Sequence, residues 1–93
     1  MSVTRINDFR AKEGKADALR GLLGQAVPTI ASSRGCLSCK LLQSQDSPAR
    51  FVVLEVWDSI ESHKAAVKDI PPTMFMTVME LLDGMPSGEY FKE

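Results

Sequence analysis

The run Phe51-Val52-Val53-Leu54-Glu55-Val56-Trp57 limits what this chain can become more than any other segment. β-Branched and aromatic residues dominate it, which favours an extended strand. Alternate side chains of a strand point to opposite sides, so Phe51, Val53 and Trp57 share one side with Glu55, while Val52, Leu54 and Val56 occupy the other. Both sides are largely apolar. An antiparallel sheet in a small protein normally leaves one side to water, so this strand needs a cover on each. The chain's own helices can supply one cover, and a second copy of the chain is the simplest source of the other.

Ninety-three residues suit one domain, residues 1–93, with a thin core, because a chain this short buries only about 60–65 % of its unfolded surface. A 44 % hydrophobic and 25 % charged composition is that of a globular domain. Eleven basic against twelve acidic residues leave no positive excess to neutralise phosphates, which argues against nucleic acid and anionic membrane as partners. No apolar run approaches the roughly 20 residues that cross a bilayer. Met1–Arg5 lacks the apolar stretch of a signal peptide, making the cytoplasm the expected compartment.

The remaining elements follow from periodicity and punctuation. Val3 to Phe9 reads as strand one, ending near the charged turn Lys12-Glu13-Gly14-Lys15. Leu19, Leu22, Leu23, Ala26, Val27 and Ile30 recur at three- and four-residue steps, predicting helix one from Ala16 to about Ser32. Pro28 lies within it and is expected to bend the helix or end it early. Cys36–Gln45 and Arg50–Trp57 form a hairpin across Asp46-Ser47-Pro48-Ala49. Asp58 or Ser59 caps helix two, which runs to about Lys68; with Asp58 as the cap, Glu61 stands three residues on, as in a capping box. Ile70-Pro71-Pro72 stops it and opens helix three, Thr73 to Leu82. Glu89–Lys92 makes a short fourth strand. The order strand, helix, strand, strand, helix, helix, strand is the α+β, ferredoxin-like βαββααβ layout, a four-stranded antiparallel sheet with helices on one face.

Cys36 and Cys39 have the spacing of a redox pair, but they follow Gly35 into a strand, where residues three apart face opposite ways. Packing cysteines are expected. Two cysteines and the single histidine, His63, fall short of the four ligands of a structural zinc site. His63 falls with Ile60 and Val67 on one side of helix two and can point at the sheet. It is the only side chain whose ordinary pKa allows proton exchange near neutrality, hence the first candidate for a base; the alternative is an ordinary core or surface histidine. Glu55, set among apolar neighbours, would have a raised pKa if buried without a cation; alternatively it pairs with Arg5, Arg34, Arg50 or backbone donors at a dimer interface.

Lys12-Glu13-Gly14-Lys15, Arg34-Gly35-Cys36, the run from Phe51 to Trp57 leading into Asp58-Ser59-Ile60-Glu61-Ser62-His63, and Pro86-Ser87-Gly88-Glu89-Tyr90 stand in an order and spacing that resembles the antibiotic biosynthesis monooxygenase superfamily over nearly the whole chain. The resemblance implies a dimeric α/β barrel, a homodimer whose two sheets face each other. It also implies a cofactor-independent oxygenase of a small aromatic or quinol-like substrate that itself supplies electrons to dioxygen. Under that reading His63 is the base and Asn7 a hydrogen-bonding partner of the substrate. Trp57, Glu55 and the Met/Phe surface of helix three, Phe75 and Met79, bind the substrate. Haem-degrading relatives need a tryptophan and a histidine where this chain has Val67 and Thr77, so an axial ligand is missing. A sugar-phosphate isomerase role lacks a glycine-rich phosphate loop. A noncatalytic dimer that binds a small hydrophobic molecule is the other reading.

Overall fold

In a computed structural model describing residues 2–93, the chain forms β1 (Val3–Arg10), α1 (Ala16–Ala31), β2 (Cys36–Gln43), β3 (Arg50–Trp57), α2 (Ile60–Lys68), α3 (Pro72–Leu81) and β4 (Ser87–Phe91). The expected α+β layout is present. The strands make one antiparallel sheet in the order β2-β3-β1-β4, with β3 inside it. The two sides of β3 differ as its alternation requires: Phe51, Val53, Glu55 and Trp57 are buried, whereas Val52, Leu54 and Val56 are half-buried.

The helices explain the buried side. Leu19 and Leu23 of α1 meet Phe51 and Val53 in a core completed by Ala11 and Leu82. This end of the domain is stitched by backbone as well: Lys12 N–H donates to Leu81 O at 2.8 Å and Asp83 N–H to Arg10 O at 2.7 Å. Coverage thins toward the other end. α2 buries only His63 and α3 buries no residue fully. The opposite face of the sheet carries no helix, and Leu37, Leu42 and Phe91 are exposed there.

Several expectations change in detail. α1 does not stop at Pro28 but continues to Ala31. Only the Pro28 nitrogen loses a donor, and the turn beyond it is closed by Ser32 N–H donating to Pro28 O at 3.1 Å. Ser59, not Asp58, caps α2, its hydroxyl accepting from Ser62 N–H at 3.1 Å. The Asp58–Glu61 capping box is therefore not formed. β2 ends two residues sooner, where Ser44 N–H donates to Arg50 O and starts the turn, and β4 spans Ser87–Phe91.

The largest correction is a β-bulge in β2. Cys36 pairs with Trp57 and Ser38 with Val56, leaving Leu37 as the extra residue. One added residue reverses the alternation, so Cys36 and Cys39 both share the face of Trp57 and Glu55 rather than pointing apart. They still make a poor redox pair. Burial, then the Glu55 charge, push both thiols up, Cys39 to about 12, which keeps the nucleophilic thiolate scarce.

Candidate active site

Register assembles the site. Cys39, Glu55, Arg5 and Tyr90 stand side by side across β2, β3, β1 and β4, and the next row on the same face holds Leu41, Val53, Asn7 and Gly88. Polar side chains from three strands are thus brought under the sparsely covered ends of α1, α2 and α3. Gly88 is required here for space. A Cβ at that position would run into the Arg5 guanidinium and stand 2.8 Å from Asn7 Oδ1.

Glu55, 4 % exposed, is the hub. Its Oε1 accepts from Trp57 Nε1–H at 2.8 Å and its Oε2 from Asn7 Nδ2–H at 2.7 Å. Asn7 Oδ1 in turn accepts from Arg5 Nε–H at 3.0 Å, and the guanidinium lies 4.6 Å above the Tyr90 ring. Of the three arginines considered as partners for Glu55, only Arg5 faces it, and it does so through Asn7; Arg50 makes a bidentate pair with Asp8. Two N–H donors on one carboxylate, with a cation beyond, are the environment of an ionised group. Burial is nevertheless the largest influence and raises the Glu55 pKa above its ordinary value.

His63, 8 % exposed, descends from α2 onto this row. Its ring packs edge-on against Trp57 and Tyr90, with centroids 5.4 and 5.3 Å away. Nδ1 and the Tyr90 hydroxyl are hydrogen-bonded at 2.5 Å. Nε2 lies 3.8 Å from Glu55 Oε1, beyond hydrogen-bonding distance. Burial, then the Arg5 charge, lower the His63 pKa, so the imidazole is neutral at pH 7.

Two adjoining chambers open beside these groups. One, about 230 Å³, has apolar walls from Phe9, Leu22, Ile30, Met74 and Phe75 and polar groups from Arg5, Asn7, Glu55 and His63. The other, about 340 Å³, shares Glu55 and His63 and is bounded by Trp57, Thr29, Ser33 and Asp69. His63 and Asn7 therefore line one cavity, with Glu55 and Phe75 in it and Trp57 in its neighbour. Met79 lines neither chamber and is 39 % exposed; Met74 and Val78 take the place expected for it. Phe51 lies in the sealed core. The Asn7 amide bridges Arg5 to Glu55 at the cavity wall. Tyr90 faces the helices, away from the open side of the sheet. Arg5 as a cavity residue and Tyr90 as the partner of His63 had one sequence signal, the glycine two residues before Tyr90. Among the described residues no cluster of three or more His, Cys, Asp or Glu is placed to hold a metal ion, and no helix is long and apolar enough to cross a membrane.

Comparison with known proteins agrees with this architecture. The family model for antibiotic biosynthesis monooxygenase matches residues 2–69. Among solved structures, a Nitrosomonas europaea protein carrying that family's name superposes with a TM-score of 0.92 at 20 % identity, over 99 % of this chain and 89 % of its own. A conserved protein from Methanosarcina mazei gives 0.90 at 17 % identity, over 100 % and 93 %. SnoaB, a cofactor-independent oxygenase from Streptomyces nogalater, gives 0.83 at 18 % identity, over 99 % and 92 %. At these identities the likeness is one of fold. No curated protein matches the chain by sequence.

Proposed function

Since the chain belongs to the antibiotic biosynthesis monooxygenase family, we propose that it is a cofactor-independent oxygenase of a small aromatic, quinol-like substrate. The observation that carries this reading is a pair of candidate proton acceptors, Glu55 and His63, set with Arg5 and Asn7 into a cavity whose other walls are apolar. A phenol in that cavity loses its O–H proton to the pair, and the electron-rich ring carbon then bonds to dioxygen. Collapse of the resulting peroxide forms a new carbonyl and releases water. One oxygen atom enters the product, the other becomes water with the hydrogens of the former O–H and C–H, and the substrate supplies all four electrons.

The surrounding residues suit this chemistry. Arg5 offers a positive charge to the phenolate, worth more in a water-poor chamber than in solution. Asn7 holds Arg5 and Glu55 in register, while Phe9, Met74 and Phe75 exclude water. Oxygen uptake with 1-naphthol and a panel of hydroquinones, with no flavin or metal added, tests the reading; consumption stoichiometric with quinone formation is expected. Binding of the same phenols with no oxygen consumed would favour the second reading, a noncatalytic binding dimer. One observation supports that alternative: the carboxylate and both Asn7 groups are already satisfied without a ligand.

In either reading the open sheet face needs a cover, and a second copy of the chain supplies it. Val52, Leu54 and Val56 with Ile6 form the centre of that apolar face. Sedimentation at micromolar concentration should show a dimer; a stable, fully folded single subunit would remove this part of the reading.

A further inference from the structure

The feature of the site that the reaction scheme leaves unused is the link between His63 Nδ1 and the Tyr90 hydroxyl at 2.5 Å. A neutral imidazole carries its proton on one nitrogen only, and the bond made by the other decides which. A phenol is a strong donor and an imidazole nitrogen a good acceptor, so Tyr90 O–H pairs naturally with an unprotonated Nδ1. The opposite nitrogen agrees. Nε2 faces the Glu55 carboxylate, whose two oxygens accept from Trp57 and Asn7 as an ionised group does. A lone pair turned toward that charge would be repelled, whereas an N–H is attracted.

We propose that Tyr90 is a positioning residue that leaves His63 Nε2–H facing the cavity, so that Nε2–H and Glu55 Oε1 together clamp one un-ionised aromatic hydroxyl. Their separation, 3.8 Å, is too long for a direct hydrogen bond but is spanned by one oxygen about 2.8 Å from each. That oxygen accepts from Nε2–H and donates to Oε1, which keeps a lone pair free beside its bond to Trp57. Within the pair, Glu55 is then the group that receives the substrate proton, and His63 the donor that holds the oxygen as it becomes negative. The roles are the reverse of those the sequence suggested. Selection follows directly: a phenol fits, an ether lacks the donor, and a carboxylate or phosphate is repelled by Glu55.

The inference rests on the cavity being the substrate site, and its test does not need turnover. His63 is the only histidine in the chain, so ¹⁵N spectra of histidine-labelled protein report one imidazole. The expected spectrum near neutral pH shows Nε2 protonated and Nδ1 unprotonated, and Tyr90→Phe should convert it to a mixture of tautomers. Binding of 1-naphthol should be roughly tenfold tighter than that of 1-methoxynaphthalene, and Tyr90→Phe should weaken naphthol binding severalfold while leaving the ether unchanged. A proton on Nδ1 in the parent protein, or equal affinity for naphthol and its methyl ether, would overturn the clamp; neither measurement requires the variant to fold. Discrimination without oxygen uptake would support the clamp and count against the oxygenase reading. Oxygen uptake with equal binding of the two probes would do the reverse.

Discussion

Along the helix-covered side of β3, the half bearing Phe51 and Val53 and the half bearing Glu55 and Trp57 are built differently from the same strand. At the first, Leu19 and Leu23 of α1 press onto the sheet, and Leu82 and Ala11 close the edge. At the second, Ile30 of α1, Val67 of α2 and Met74 of α3 stand back and leave the two chambers. The contrast teaches where stability and chemistry are separated. A dry, close-packed half holds the strands in register, and that register holds Arg5, Asn7, Glu55 and Tyr90, joined by His63 of α2, in a half too loosely covered to be core. Buried polar groups are tolerated only when paired, and here each has a partner at the sheet.

Phe51→Ala should break the comparison from the packed side with the largest effect. Phe51 is 0 % exposed, and such a truncation costs about 3–5 kcal/mol, read as a large drop in the denaturation midpoint. A loss below about 1 kcal/mol would show that this half is not the stabilising one. Glu55→Gln should sharpen the contrast from the other side. The gain from removing a desolvated carboxylate is offset by the lost acceptor of Asn7, since the amide keeps one oxygen for Trp57 but turns its NH2 group toward Asn7. Stability should therefore change by no more than about 1 kcal/mol, whereas oxygen uptake should fall by about 100-fold, the scale of a lost acid–base group. Comparable losses in melting temperature and turnover would argue that Glu55 is structural. Gly88→Ala probes the seam between the halves. Its methyl group must displace Arg5, so a cost of about 1–3 kcal/mol is expected, together with weaker phenol binding; wild-type affinity would show that Arg5 is not needed in place.

The smallest expected effect concerns pH. The folded protein depresses the His63 pKa, so the unfolded chain takes up that proton first. Stability should therefore fall as pH is lowered through about 6.5, the ordinary histidine value. Glu55 has the opposite sign. Its raised pKa means the folded state keeps a proton that the unfolded carboxyl has lost above about 4.5, so its contribution declines as pH rises from there toward the folded-state pKa. Thermal unfolding from pH 4 to 8 of the parent, His63→Gln and Glu55→Gln separates the two: the first variant should lose the decline on the acid side of neutrality, the second the decline on rising from about 4.5. A parent profile matched by both variants would mean that neither group is shifted by folding.

Part of this was legible in the residues. The leucine spacing of α1, the proline pair before α3 and the polar turn after Gln43 each mark an element locally, because helix period and turn chemistry act over a few residues. His63 and Asn7 could be named as candidates for their chemistry, and the cavity they share contains both. Met79 was placed wrongly against that cavity because a helical stripe shows which side is apolar, not how closely it docks. Leu37 shows the same limit in a strand. Nothing in its neighbours announces an extra residue, yet it reverses the facing of Cys36.

What the amino-acid order determined by itself is a strand apolar on both sides and the βαββααβ succession around it, since alternation, periodicity and breakers are short-range properties of the chain. Only the tertiary structure decided that Arg5, Asn7, Glu55, His63 and Tyr90 meet. The Asn7–Glu55 contact spans 48 residues and the His63–Tyr90 contact 27. Such meetings depend on strand order, on the bulge and on how far each helix stands from the sheet, which are set by packing the whole domain at once.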